Sequence, residues 1–317
     1  MPSGLLDQVR EGAAAVAEAA RFVQIDRGAI AAYAASLPLD QARAPELDRA
    51  THYVGEPDAT LAYLVTLDTI NFGSGYFPTL RKRPGLSGYF TVASSLKDHL
   101  EAHGPLGADA LCAITAEDCA RIFGQAPAAG PAAELMDLFA RALHDLGGYL
   151  STAFGGSFRR LVDTAEGSAE RLVALLQQMP FYRDVEPYGE REVPFFKRAQ
   201  LLAADLSIAG LARFDDLDRL TMFADNLVPH VLQLDGVLRY DPGLVDRIER
   251  EELIPAGSAE EVEMRACAVH AVELMAASLR ASGAAVWPMQ LDYVLWNRGQ
   301  QPSYKARPRH RTRTVFY

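Results

Sequence analysis

Charged residues interrupt apolar sequence at a few places in this chain, and those places are where chemistry can occur. In LTMFADNLVPHVL, residues 220–232, Asp225 and Asn226 stand among residues suited to a core. In PFFKRAQLLAADLSIAG, residues 194–210, Lys197 and Arg198 break an apolar, helix-forming run, with Lys197, Leu201 and Ala204 on one face. A carboxylate withdrawn from solvent can act as a base or a charge partner. A lysine is seldom fully buried unless it is paired. The bland alternatives are that Asp225 or Asn226 caps a helix and that Lys197 lies on a solvated face. LDTINF, residues 67–72, offers a third group: Asp68 and Phe72 share a helix face, with Asn71 beside them. There the alternative is a core phenylalanine beside a surface charge.

Helical elements must position these groups. GLLDQVREGAAAVAEAARFV is alanine-rich with apolar residues at helical spacing. PAAELMDLFARALHDLGG places Leu135, Leu138, Phe139, Ala142, Leu143 and Leu146 on one face, with Pro131 as start and Gly147-Gly148 as stop. Ser168 is an N-cap, and Ser258 with Glu261 forms a capping box for a helix ending at Gly283. A short helix is expected over 216–224. Val228 precedes Pro229 and is pushed out of helical geometry, so a new helix starts at Pro229. Asp225 and Asn226 then sit at a helix–helix junction, where free N–H groups favour an anion, and this should keep Asp225 ionised at neutral pH. Strand candidates are few: RFVQI, GEREVPF and the terminal TRTVFY. The fold class is mainly α, a single multi-helix domain over 1–317 with a few short strands and a possible soft subdivision near 125–130.

The 317-residue chain can bury a substantial core. A net charge of −10 disfavours long nucleic acid, whose phosphates dominate affinity, but leaves room for one phosphate in a local basic pocket. The tail RPRHRTRTVFY is such a place: Arg307, Arg309, His310, Arg311 and Arg313 crowd together. Its alternation suggests an ordered strand, against the alternative of a solvated tail. The N-terminal stretch has no basic leader, and no apolar run reaches the ~18 residues of a membrane span. Cys112, Cys119 and Cys267 form no C-x-x-C and read as small apolar residues, which fits a cytoplasmic protein. GSG at 73–75 lacks the setting of a dinucleotide site, and no phosphate loop or G-x-S-x-G elbow is present. None of His52, His103, His144, His230, His270 and His310 is assigned to a metal; no metal and no cofactor is expected.

A lysine on one helix and an aspartate at a junction about 28 residues later resembles the arrangement of helix-hairpin-helix glycosylases. More specifically, PFFKRAQLLAADL, LTMFADNLVPHVLQLDGVLRYDP, LDTINF, GGSFRRLVDTAEGSAERLVALL, LDYVLWN and RHRTRTVFY together resemble the queuosine salvage protein family, in order from about residue 50 to 317. The stretch NFGSGYFP departs from the aromatic residues that usually follow NF in that family. The resemblance implies hydrolysis of the N-glycosidic bond of queuosine 5′-monophosphate, which releases queuine. It makes Asp225 the carboxylate beneath the anomeric carbon and Lys197 its charge partner, without a Schiff base. It assigns the base to Asp68, Asn71 and Phe72, with Tyr76, Phe77 and Tyr89 as stacking candidates. Asn226, Arg198, His230, Arg311 and Tyr317 become substrate contacts. His230 and the tail serve the phosphate. Asp292 and Trp296 either reach the cyclopentenediol or fix the last helix. The expected partner is a small molecule, with no long nucleic acid and no membrane, and the expected state is a monomer or weak oligomer. A non-catalytic nucleotide-binding protein and a glycosylase acting on nucleic acid are the alternatives.

Overall fold

Leu6, Val9, Ala13 and Val16 follow helical spacing, and all four are buried where Leu5–Ala19 packs on the long helix Ala259–Ala281. This contact sets the plan of the computed structural model, which describes residues 4–42, 45–126 and 129–317. Among the described residues there are fifteen α-helices and four short strands, so the fold is mainly α. The strands make two antiparallel pairs. Val23–Ile25 pairs with Leu238–Tyr240, and Val185–Tyr188 forms a hairpin with Arg191–Pro194 around Gly189. One hydrophobic cluster runs from Leu6 to Tyr304, with members on both sides of residues 125–130. No described helix is long and apolar enough to cross a membrane.

Several local expectations change. The helix begun by Pro131 runs through Gly147-Gly148 to Phe154 and ends at Gly155, whose φ is 58°. Gly147 is there for close approach: a Cβ would lie 2.7 Å from the Cys112 amide nitrogen and 2.8 Å from the Ala108 oxygen. Ser168 caps as expected, accepting from the Arg171 amide at 3.2 Å. Ser258 accepts from the Glu261 amide, but the Glu261 carboxylate turns to the Gly257 amide, so the capping box is half formed. The strand candidate GEREVPF holds the second strand of the hairpin, Arg191–Pro194, whose first strand, Val185–Tyr188, was not among the candidates. TRTVFY joins no sheet; the tail makes only an isolated bridge, between Arg311 and Leu253. Cys119 and Cys267 are buried, whereas Cys112 is exposed.

The junction before Asp225 differs most. Only Leu217–Arg219 is helical, as a 3-10 turn, and residues 220–225 form no helix or strand. Side chains take over the backbone bonds a helix would have made. The Thr221 amide donates to Gln200 Oε1 at 2.9 Å and the Phe223 amide to Asp292 Oδ1 at 3.0 Å. The next helix is Leu227–Leu234, so Val228 is helical and Pro229 is the third residue. Proline is tolerated there because first-turn amides lack intrahelical acceptors in any case.

Candidate active site

Lys197 begins the helix Lys197–Ile208, directly after Phe196, which holds a left-handed φ of 49°. A bulky residue rarely adopts that conformation, at a cost on the order of 1–3 kcal/mol. Surrounding bonds enforce it. The Asp184 carbonyl accepts from the Phe195 amide at 2.9 Å, and its carboxylate Oδ2 accepts from the Lys197 amide at 3.1 Å. Lys197 Nζ donates to the Asn71 carbonyl at 3.3 Å and is only 6% exposed. Burial lowers its pKa; Asp225 opposes this most among the charges, followed by Asp68.

Asp225 is both cap and cavity residue. Its Oδ1 accepts from the Leu227 amide at 2.8 Å and the Val228 amide at 3.1 Å. No described residue donates to Oδ2. The side chain lines a cavity of about 290 Å³ together with Lys197, Asn226, Asp292, Arg309 and Tyr317. Asp292 is held well above the ordinary carboxyl range by burial and then by the Asp225 charge. Part of the lining is aromatic: Tyr89 meets Trp296 edge-on at 6.0 Å, and its hydroxyl lies 2.8 Å from His52 Nε2. Phe72, Phe77, Phe90 and Asn71 also line the cavity.

Of the candidate site residues read from the sequence, Lys197, Asp225, Asn226, Asn71, Phe72, Phe77, Tyr89, Asp292, Trp296, Arg309 and Tyr317 share this cavity. Asp68, Tyr76, Arg198, His230 and Arg311 do not line it. Asp68 lies fully buried behind the wall, with Asn71 Nδ2 on one oxygen at 3.3 Å and its other oxygen unpartnered. Burial pushes Asp68 up to about 7, against the pull of Asn71, Lys197 and Arg198. Arg198 is a structural clamp. It donates to the carbonyls of Asp68 at 3.2 Å and Val315 at 2.9 Å, and also to those of Thr69 and Phe181. His230 bonds the Tyr304 carbonyl at 3.0 Å, and Arg311 pairs with Glu251 at 2.5 Å. Tyr76 donates to Glu134 at 2.8 Å. Arg309 and Lys305 are the tail cations that reach the cavity.

Asp205 had not been singled out. It lines the cavity from the same helix as Lys197, is 8% exposed, and accepts no side-chain hydrogen bond among the described residues. Its position eight residues after Lys197, on the face that carries Leu201 and Ala204, is a signal already present in the sequence. Spacing should also have flagged His99 and His103, one turn apart and stacked at 4.7 Å. No group of three or more potential metal ligands exists among the described residues. GSG at 73–75 docks the tail: the Gly73 amide donates to the Tyr317 carbonyl at 2.9 Å.

The fold and cavity together define an α-helical enzyme that holds a carboxylate and a lysine in a small-molecule pocket walled by aromatic rings. The model of the queuosine salvage protein family matches residues 51–317. A queuosine 5′-phosphate N-glycosylase/hydrolase from Sphaerobacter thermophilus is 40% identical over 314 residues, covering 95% of each chain. Proteins of the same name from Dictyostelium discoideum and Bos taurus are 34% and 31% identical, covering 82% and 97% of this chain and 79% and 98% of their own. The chain belongs to the queuosine salvage protein family.

Proposed function

We propose that the chain hydrolyses the N-glycosidic bond of queuosine 5′-monophosphate, yielding queuine and ribose 5-phosphate. The observation that carries this reading is the setting of Asp225. One carboxylate oxygen is fixed by two helix amides, and the other is left for a cavity that a buried lysine also lines. As the C–N bond breaks, positive charge grows on the sugar, and a preorganised carboxylate beneath it lowers the barrier. Water adds hydroxide to the anomeric carbon and gives its proton to Asp225. The bonding pair leaves with the base, and the proton released again from Asp225, directly or through solvent, balances the one the base takes up. Lys197 balances the charge of Asp225 and holds the Asn71 backbone in place.

The lining of the cavity suits both the phosphate and the base of a nucleotide. Arg309 and Lys305 supply cations for the phosphate, in place of Arg311 and His230. Asp205 lies two helical turns from Lys197, about 12 Å along the axis, and is placed to accept from the N–H edge of a deazaguanine. This is the role the sequence suggested for Asp68. His52, Tyr89 and Trp296 supply rings for the flat face of the base. A net charge of −10 favours a free nucleotide over intact nucleic acid, and we place the protein in the cytoplasm as a monomer or weak oligomer. Incubation with queuosine 5′-monophosphate, queuosine and guanosine 5′-monophosphate, followed by chromatography and mass detection, tests the activity. Queuine released mainly from the first is the expected result; tight binding without release overturns hydrolysis.

A further inference from the structure

We infer that the buried Asp184–Arg265 pair is a positioning element of this site, which sets Lys197 and Asp225 at a fixed distance from each other. Neither residue lines the cavity, and both are buried, at 2% and 0% exposure. Arg265 grips the Asp184 carboxylate with both terminal nitrogens, at 3.0 and 2.7 Å. The same Asp184 Oδ2 accepts the Lys197 amide at 3.1 Å. The third guanidinium nitrogen, Nε, donates to the carbonyl of Ala224, the residue before Asp225, at 3.0 Å. One rigid planar group therefore reaches from the start of the lysine's helix to the aspartate's junction.

The strut itself has little freedom. The guanidinium lies between the rings of Phe195, at 3.9 Å, and Tyr317, at 4.7 Å, and Glu261 approaches it at 3.7 Å. Phe195 precedes the strained Phe196, and Tyr317 itself lines the cavity, so the strut touches the site from three directions. A buried ion pair is weak evidence for net stability, because desolvation offsets much of the attraction. Its bidentate geometry, however, imposes one arrangement on everything bonded to it. Arg265 interrupts the otherwise closely packed helix Ala259–Ala281, where an apolar residue would pack without dehydrating a charge. The pair makes two backbone bonds that apolar residues cannot: Asp184 accepts the Lys197 amide, and Arg265 donates to the Ala224 carbonyl.

This inference rests on the proposed hydrolysis, so wild-type turnover of queuosine 5′-monophosphate is measured first. Absence of wild-type turnover overturns the activity and the strut together. Arg265→Lys and Asp184→Asn are then compared in wild-type and Asp225→Asn backgrounds by single-turnover kinetics, with queuine affinity and thermal melting as controls. Misplacing reacting groups by about 1 Å costs on the order of 100-fold. We expect kcat to fall by about that factor in Arg265→Lys, with KM and queuine affinity changed less than about threefold. In the Asp225→Asn background the same substitution should cost less than about threefold, because the group being positioned is already gone. Equal losses in both backgrounds make the pair merely structural and overturn the proposal, as does an unchanged kcat. If Arg265→Lys does not fold, the isosteric Asp184→Asn carries the same comparison. Failure of both to fold makes the pair a folding element and rejects the inference.

Discussion

Lys197 and Arg198 are adjacent in sequence and both buried, yet their side chains leave the helix in different directions. Lys197 faces the cavity, while Arg198 closes on four backbone carbonyls behind it. Successive helical residues are about 100° apart, so one turn start can serve two environments. Arg198 also lies over the rings of Phe72 and Tyr182, at 5.0 and 4.6 Å. It ties LDTINF, the Phe181 turn and the tail together, and so builds the wall that Lys197 looks past.

Substitutions at the two positions should therefore part company. Burial opposes the charge on Lys197, so Lys197→Met should keep or raise stability while turnover falls by about 100-fold or more. Arg198→Met leaves four carbonyls without their donor, and stability should fall by about 3 kcal/mol or more. Urea denaturation and initial rates on both variants decide this; a stable Arg198→Met with normal turnover would contradict the clamp.

Asp225→Asn tests the reacting group. Asparagine can still accept from the Leu227 amide, so the helix start should survive and nucleotide binding should stay close to wild type. Turnover should drop on the order of 1,000-fold, since the amide neither stabilises the cation nor takes the proton. Asp225→Ala should lose the cap as well, about 1 kcal/mol of stability in addition. Near-normal turnover in Asp225→Asn would leave Asp225 as a cap alone.

Much of this site was legible because its charges break apolar patterns. Asp225 and Lys197 stand out for that reason, and both face the cavity. Arg198 carried the same signal, yet it turns to backbone carbonyls; a charge in an apolar run says that a partner exists, not whether that partner is substrate or protein. The helix Ala259–Ala281 was read from its caps, but Arg265 inside it passed unnoticed, because its partners lie 81 and 41 residues away. The junction was misjudged for a related reason. Local propensity cannot foresee that Gln200 and Asp292 will satisfy the amides of residues 221 and 223. Gly147 likewise looks like a helix stop until the neighbouring chain at Ala108 and Cys112 is in place.

Asp205→Asn should alter which base is accepted. Burial, and then the Asp68 charge, hold Asp205 well above the ordinary carboxyl range; two N–H groups of a deazaguanine edge favour the charged form and donate to both its oxygens, whereas an asparagine offers one acceptor and one donor. Queuine affinity should fall by at least about tenfold, while a 7-deazaxanthine analogue, with oxygen replacing the 2-amino group, should gain. Calorimetric titration of the two bases against both proteins reads this out. Equal losses for both bases would remove Asp205 from reading the edge.

Asp68 gives a pH signature in stability. Burial raises its folded-state pKa to about 7, above the ordinary 3.8, so folding favours its protonated form. The stabilisation is complete below the unfolded value and is lost as pH rises through about 7. Asp68→Asn, which stays neutral, should therefore match wild type near pH 4 and be more stable at pH 8, on the order of 2–4 kcal/mol. Melting curves across that range check it; a constant difference at all pH values would show that Asp68 does not titrate in the folded protein.

The GSG turn at 73–75 leads to the last prediction. At Gly75 a Cβ would meet the Thr312 carbonyl, with its carbon at 2.5 Å and the Arg313 amide nitrogen at 2.9 Å. These are backbone atoms and cannot swing aside, so Gly75→Ala must push the tail away. The same tail carries Arg309 and Tyr317 into the cavity and gives the Val315 carbonyl to Arg198. Gly75→Ala should thus raise KM for the nucleotide by about tenfold or more through weakened phosphate and ring contacts, with a smaller effect on kcat, because Lys197 and Asp225 belong to other elements. Tyr317 bears on Arg265 as well, at 4.7 Å, so part of the loss should appear in kcat. Steady-state kinetics on this variant separates the two contributions, and an unchanged KM would show that the tail's seat on the GSG turn does not support substrate binding.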